Sequence, residues 1–354
     1  MRKILAIVTA FVLMFSLAAC GTGKEDAGTQ GQEKTETKTE NKGTKEEKAQ
    51  DAEKSEDAEK SEDAGKSEAS GDYPAAEPGK VTEALSLYTD QNGDTAFIPA
   101  EFIVSDKANE QTINTGLVII GPDGSEFVWV PTTVTPLGQR EFRSYFFGGS
   151  LSSYTDDTSL PEYQEMVAST EKYGGFYMGR YEGSRVEGGM IASKRVSEEE
   201  PGRLLIQYSP QDATEGCQRM YEDNDTVQGF FPWGANWDTT LQWLIDSGDK
   251  TEEEVRSDST SWGNYSDDSF SEGARGSYTG VWEEAKSNNI YDLAGNNWEW
   301  TQERNGTSYV MRGGGYNLMG GSCRGSDYPA ALRDPLPGND HHPNVVIRPA
   351  LYIK

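Results

Sequence analysis

Histidine and cysteine are scarce in this chain: two His and three Cys among 354 residues. The two histidines, His341 and His342, are adjacent. Such a pair is a weak metal signal without further ligands at suitable spacing. No Ser/His/Asp arrangement for nucleophilic catalysis is visible. Basic residues are outnumbered, with 32 Lys+Arg against 59 Asp+Glu and a net charge of −27. Phosphate neutralisation needs a basic face, so nucleic acid is excluded as the expected partner. Residues 21–70 hold no aromatic residue and almost nothing apolar beyond alanine. A segment so poor in apolar surface cannot offset its ordering entropy. Residues 21–85 therefore read as a disordered, acidic, Lys/Glu-rich linker, with DAEKSE, DAEKSE and DAGKSE in tandem at 51–68. A coil the length of 21–70 reaches about 40 Å, and like-charge repulsion extends it.

Long apolar runs are absent too, with one exception. Arg2 and Lys3 precede an apolar stretch at 4–17, and Leu17-Ala18-Ala19-Cys20 follows. A spanning helix needs about 20 residues, so this run is short for one. It reads as a secretory signal. The Leu-Ala-Ala-Cys box closely resembles a bacterial lipoprotein signal. That resemblance implies cleavage before Cys20, acylation of its thiol, and an outward-facing protein held at the cell membrane by lipid. Cys217 and Cys323 then remain. In an exported protein they could pair, but sequence cannot place their Cα atoms within bridging distance.

What is present lies further on. All eight tryptophans follow Glu126. Residues 86–354 are long enough for one large domain with its own core. Two apolar runs flank Asp123-Gly124 in TGLVIIGPDGSEFVWVP at 115–131, a hairpin signal. GGFYMGRYEG at 174–183 reads as a strand, and 214–222 as a short helix. Trp237, Leu241, Leu244 and Ile245 share one helical face. From 247 to about 287 the Ser/Gly/Asn/Asp content reads as long loops. Short strands are expected at 309–312 and 345–353. The expectation is an α+β domain with little regular structure.

The most specific string is NIYDLAGNNWEW at 289–300. In an extended segment Trp298 and Trp300 share one face and Glu299 takes the other. With Arg312-Gly313-Gly314-Gly315-Tyr316 and VVIRPAL at 345–351, this string resembles the formylglycine-generating-enzyme, or sulfatase-modifying-factor, family. FVWVP at 127–131 and FYMGRYE at 176–182 resemble its opening strands, and PWGANWD at 232–238 matches loosely. The resemblance implies an irregular C-type-lectin-like fold over 86–354. It also implies a structural Ca²⁺ on the loop, held by the side chains of Asp292 and Glu299 and the carbonyls of Gly295 and Asn297. Oxygen donors of this kind suit a hard cation. The competing reading has the two carboxylates bonding backbone amides.

Catalytic members carry two cysteines, at the sixth and eleventh positions after the arginine of R-G-G, and use copper, which thiolates suit. Here those positions are Leu318 and Cys323. One thiol is missing, so copper chemistry is not expected and no catalytic residue is assigned. The arrangement of Arg312 to Asn317, Cys323-Arg324, Arg333 and a terminal Ile-Arg is closer to the retroelement-diversified variable proteins of the same fold. Ile347 stands where that branch has phenylalanine, and Val346 where it has glycine. This resemblance implies a ligand-binding face made by Tyr316, Asn317, Leu318, Ser322, Ser326, Asp327, Tyr328, Asp334, Asn339, Asp340, His341 and His342. Rigid aromatics with adaptable hydrogen bonders are apt for binding, although the same residue types populate any loop. The expected function is a surface lipoprotein that binds a protein or glycan ligand without catalysis. The rivals are an oxidase acting on a protein cysteine and a structural envelope protein.

Overall fold

The computed structural model describes residues 71–132, 136–138, 153–185, 190–199, 204–205, 208–267, 278–318, 321–338, 342 and 345–354. Residues 1–70, with Cys20, lie outside them. Most of the regular structure is antiparallel sheet with few helices, an α+β architecture.

Largely apolar, mostly buried strands build the first sheet. Its six strands run in the spatial order Val227–Phe230, Ala350–Ile353, Gly175–Gly179, Glu126–Pro131, Val118–Ile120, Ile103–Val104. The hairpin expected around Asp123-Gly124 is there, with Val118 opposite Val128. Trp129 faces Tyr177, their rings 4.9 Å apart and edge-on. Among the described residues there are four α-helices, and α1, α2 and α3 pack on this sheet. Helix α1 is Pro161–Tyr173, α2 is Pro210–Gln218, α3 is Gly234–Asp246 and α4 is Glu252–Arg256. α3 carries the expected stripe, with Trp237, Leu241 and Leu244 buried. α2 begins four residues before the expected start, because Ser209 caps the Asp212 N–H and Pro210 opens the first turn.

The second sheet orders Asp334–Leu336, Ser308–Arg312, Trp298–Asn305 and Val345–Val346, and Tyr154–Thr155 also pairs with Trp298–Asn305. Val345–Val346 runs parallel to Trp298–Glu299. The single terminal strand expected at 345–353 is thus two strands in two sheets. Arg348 and Pro349 form the joint: Pro349 has no N–H to donate, and the Arg348 guanidinium turns inward to Glu299. GGFYMGRYEG divides likewise, since Gly175–Gly179 and Gly183–Arg185 lie in different sheets. The stretch 247–287, read as loop, contains α4 and the 3-10 turn Glu283–Ala285.

The folded part starts before residue 86. Tyr73 packs edge-on to Phe97 at 5.0 Å, Ala76 is buried, and Thr82 hydroxyl donates to the Phe102 carbonyl at 3.0 Å. Tyr73 is the first aromatic residue after Cys20, and its ring packs against the core.

Candidate functional site

The candidate face starts where Ser308–Arg312 ends. Gly313, Gly314 and Gly315 are buried. Gly314 sits at φ +74, and a Cβ there would meet the Tyr328 carbonyl oxygen at 2.3 Å. The glycine run therefore permits close packing of the loop on itself. A short hairpin follows, with Asn317 opposite Ser322. The chain then folds back over the 254–267 segment: Ser259 N–H donates to the Gly325 carbonyl at 3.1 Å, and Ala331 N–H to the Val255 carbonyl at 3.1 Å.

Two arginines hold the ends of this loop. Arg312 enters it and Arg333 leaves it, and both are almost fully buried. They converge on the same two carboxylates, Asp238 of α3 and Glu303. Arg312 Nη2 donates to Asp238 Oδ1 at 2.7 Å and its Nη1 to Glu303 Oε2 at 3.4 Å. Arg333 Nε lies 2.8 and 3.0 Å from the two Glu303 oxygens, and its Nη2 donates to Asp238 Oδ2. Arg312 Nε also reaches the Leu332 carbonyl at 3.2 Å, tying the loop's entrance to its exit. A third carboxylate lies beside the pair. Asp156 accepts the Gly234 and Ala235 N–H groups at 2.9 and 2.8 Å, capping α3. Burial, then Glu303, pushes its carboxyl up to about 7. This network was not read from the sequence, because its five side chains come from four separated segments. Arg312 of the R-G-G string and Arg333 were the signals available.

The proposed display residues separate by exposure. Ser326 and Asp327 are exposed, and Tyr316, Asn317 and His342 are half-buried. Arg324, outside the expected binding set, is exposed and lies 3.6 Å from Asp267. Two expectations are corrected. Tyr328 is only 9% exposed, stands edge-on to Trp298 at 5.9 Å, and is a packing residue. Asp334 is buried in the second sheet opposite Met311, and burial raises its carboxyl to about 6. The side chains of Leu318 and Ser322, and the whole of Asn339, Asp340 and His341, lie outside the described residues. His342 packs edge-on to Trp300 at 5.9 Å.

Cys323 and Cys217 are both buried and free. Cys323 is fixed by its backbone, its N–H bonded to Ser266 Oγ at 2.9 Å. Burial, then Asp267, pushes its thiol up to about 12, the reverse of an activated nucleophile.

The loop read as a calcium site is held by other means. Both Glu299 oxygens face Arg348 Nε, at 3.1 and 2.9 Å. The same guanidinium donates to the carbonyls of Gly179 and Tyr291 at 3.0 and 2.9 Å. Asp292 Oδ2 accepts the Thr279 hydroxyl and the Gly280 N–H at 2.7 and 2.9 Å. Its Oδ1 is buried without a hydrogen-bond partner. Burial raises the Asp292 carboxyl to about 6. Glu182 sits in the same cluster, accepting from Asn296 and Asn297, and burial, then Asp292 and Glu299, raises its carboxyl well above the usual range. Gly295, at φ +70, presses against the Asn264 backbone. The set of Asp292, Gly295, Asn297 and Glu299 does not fit Ca²⁺ as drawn. With Arg348 on both Glu299 oxygens, Asp292 Oδ1 is the one carboxylate oxygen of the set without a partner, and a cation would have to displace Arg348 to reach Glu299. Among the described residues no group of three or more His, Cys, Asp or Glu is disposed to hold a metal.

No family model and no curated protein matches the chain. Two solved structures are similar in part. The crystal structure of CarF is 14% identical, with a TM-score of 0.33, over 51% of this chain and 87% of its own. Treponema denticola variable protein 1 is 13% identical, with a TM-score of 0.25, over 75% of this chain and 98% of its own. Overlaps this loose leave function to the chain's own geometry.

Proposed function

We propose that the chain is a surface lipoprotein, anchored through Cys20, whose C-type-lectin-like domain binds a protein or glycan ligand without catalysis. The binding face is the loop between Gly315 and Arg333, presenting Tyr316, Asn317, Arg324, Ser326 and Asp327, with His342 of the following segment added to it. One observation carries this reading: Arg312 and Arg333 pin both ends of that loop to the same buried carboxylates. A loop held this way keeps its exposed side chains in place, which lowers the ordering cost of binding. The tether lifts the face off the membrane. Ser326 and Asp327 hydrogen-bond a ligand, while Tyr316 offers partly buried aromatic area.

The oxidase rival needs a thiol at 318, where the chain has leucine, and an ionisable thiol at 323. The test supplies purified protein with copper and a sulfatase-motif cysteine peptide, beside a Leu318→Cys variant. No turnover by the folded parent protein is the expected result, and turnover would refute binding without chemistry. In parallel, the parent and a Tyr316→Ala/Asn317→Ala/Asp327→Ala variant are screened on protein and glycan arrays. Any hit that the triple variant retains at full strength does not belong to this face.

A further inference from the structure

A second concave region lies elsewhere, between α1, α2 and the two strands Val227–Phe230 and Ala350–Ile353. It consists of two adjoining cavities of about 410 and about 270 Å³. Ligand sites typically measure about 300–1,000 Å³. Glu165, Gln228 and Tyr352 line both cavities, so the two form one groove with Tyr352 at its waist. None of its lining residues belongs to the loop beyond Gly315. We propose that this groove is a binding site for a neutral oligosaccharide.

The chemistry of the walls argues for that class. Glu162 and Glu165 project from one face of α1, and both are exposed. Carboxylates accept hydrogen bonds from sugar hydroxyls and repel anionic ligands. Gln218, Gln228 and Gln302 add amides. The Gln228 Nε2 donates to the Gln218 and Gly229 carbonyls at 2.9 and 3.1 Å, which leaves its amide oxygen as a further acceptor. Tyr352 and Phe230, 5.7 Å apart, are buried and form the floor between the two cavities. Tyr352 hydroxyl is already held to Glu165 at 3.3 Å, so the ring is set before a ligand arrives. Two cations stand at the larger end: Lys172 lies over the Tyr173 ring at 4.5 Å, and Lys354 Nζ donates to the Asn224 carbonyl at 2.8 Å. Glu162 and Glu165 balance Lys172 and Lys354 along the lining, so the groove favours a ligand without net charge, and its carboxylates and amides recognise hydroxyls.

The test is calorimetry of the full-length protein in detergent with maltotetraose, cellotetraose and chitotetraose. At least one should bind saturably. Ala168→Trp fills the larger cavity from an exposed helix position, and Glu165→Ala removes an acceptor shared by both. Each should weaken that binding at least tenfold with an unchanged melting temperature, whereas Tyr316→Ala should leave it intact. Failure of all three sugars to bind overturns the proposal. So does binding indifferent to both groove variants, loss of binding in Tyr316→Ala, or saturation by tetra-alanine in place of sugar.

Discussion

Arg333→Met isolates the ionic clamp under the candidate face. The side chain is 1% exposed and bonded to both Glu303 and Asp238. Methionine keeps much of the apolar stem and removes the charge. Asp238 and Glu303 are then left to Arg312 alone, with Asp156 close by. Removing one partner of a buried pair costs about 3–5 kcal/mol, chiefly from the stranded charge. For a domain of this size, 1 kcal/mol shifts the melting temperature by roughly 2–4 °C, so the expected fall is roughly 6–20 °C. Urea unfolding followed by tryptophan fluorescence reads it directly, since the Trp237 ring packs against Arg312. Adding Glu303→Gln to Arg333→Met should recover part of the loss by removing an unpaired carboxylate. A loss below about 1 kcal/mol, or a double variant no better than the single, would falsify the clamp.

The clamp also makes stability depend on pH. Asp156 has a folded value of about 7, above that of a free carboxyl. Its stabilising share is full below the unfolded value near 4 and is lost as pH rises through about 7. Asp156→Asn should flatten the decline in urea midpoint between pH 4 and 7 relative to the parent. Asp292 and Asp334, raised in the same direction to about 6, keep part of the slope in that variant. Tyr328→Ala should cost about 3–5 kcal/mol, as large-to-small core changes do, while exposed Ser326→Ala should stay within about 0.5 kcal/mol; equal effects in thermal melts would contradict their different placement. Gly314→Ala should cost more than about 1 kcal/mol by the same melts, because its φ is left-handed and its Cβ meets the Tyr328 carbonyl. Calcium titrated calorimetrically should release no heat, and a chelator should leave the melting temperature unchanged; a saturable heat abolished by Asp292→Asn would show that a cation displaces Arg348.

The sequence made legible what depends on local periodicity. The hairpin about Asp123-Gly124, the buried face of α3 and the opposed orientation of Glu299 and its flanking tryptophans are set by neighbours a few residues away. What sequence could not supply came where a distant residue decides. Tyr328 looked like a binding aromatic because it lies in a polar loop, yet the Gly313–Gly315 run lets that loop close until Tyr328 meets Trp298. The family resemblance made Glu299 a cation ligand. Arg348, forty-nine residues on, supplies the positive charge instead. The same logic hid the clamp. Asp238, Glu303, Arg312 and Arg333 are unremarkable one at a time, and only the folded chain sets two guanidiniums against two carboxylates at both ends of one loop. A binding surface of this kind has two parts that sequence treats differently. Its exposed residues look like any loop, and the buried charges that hold them still look like any surface.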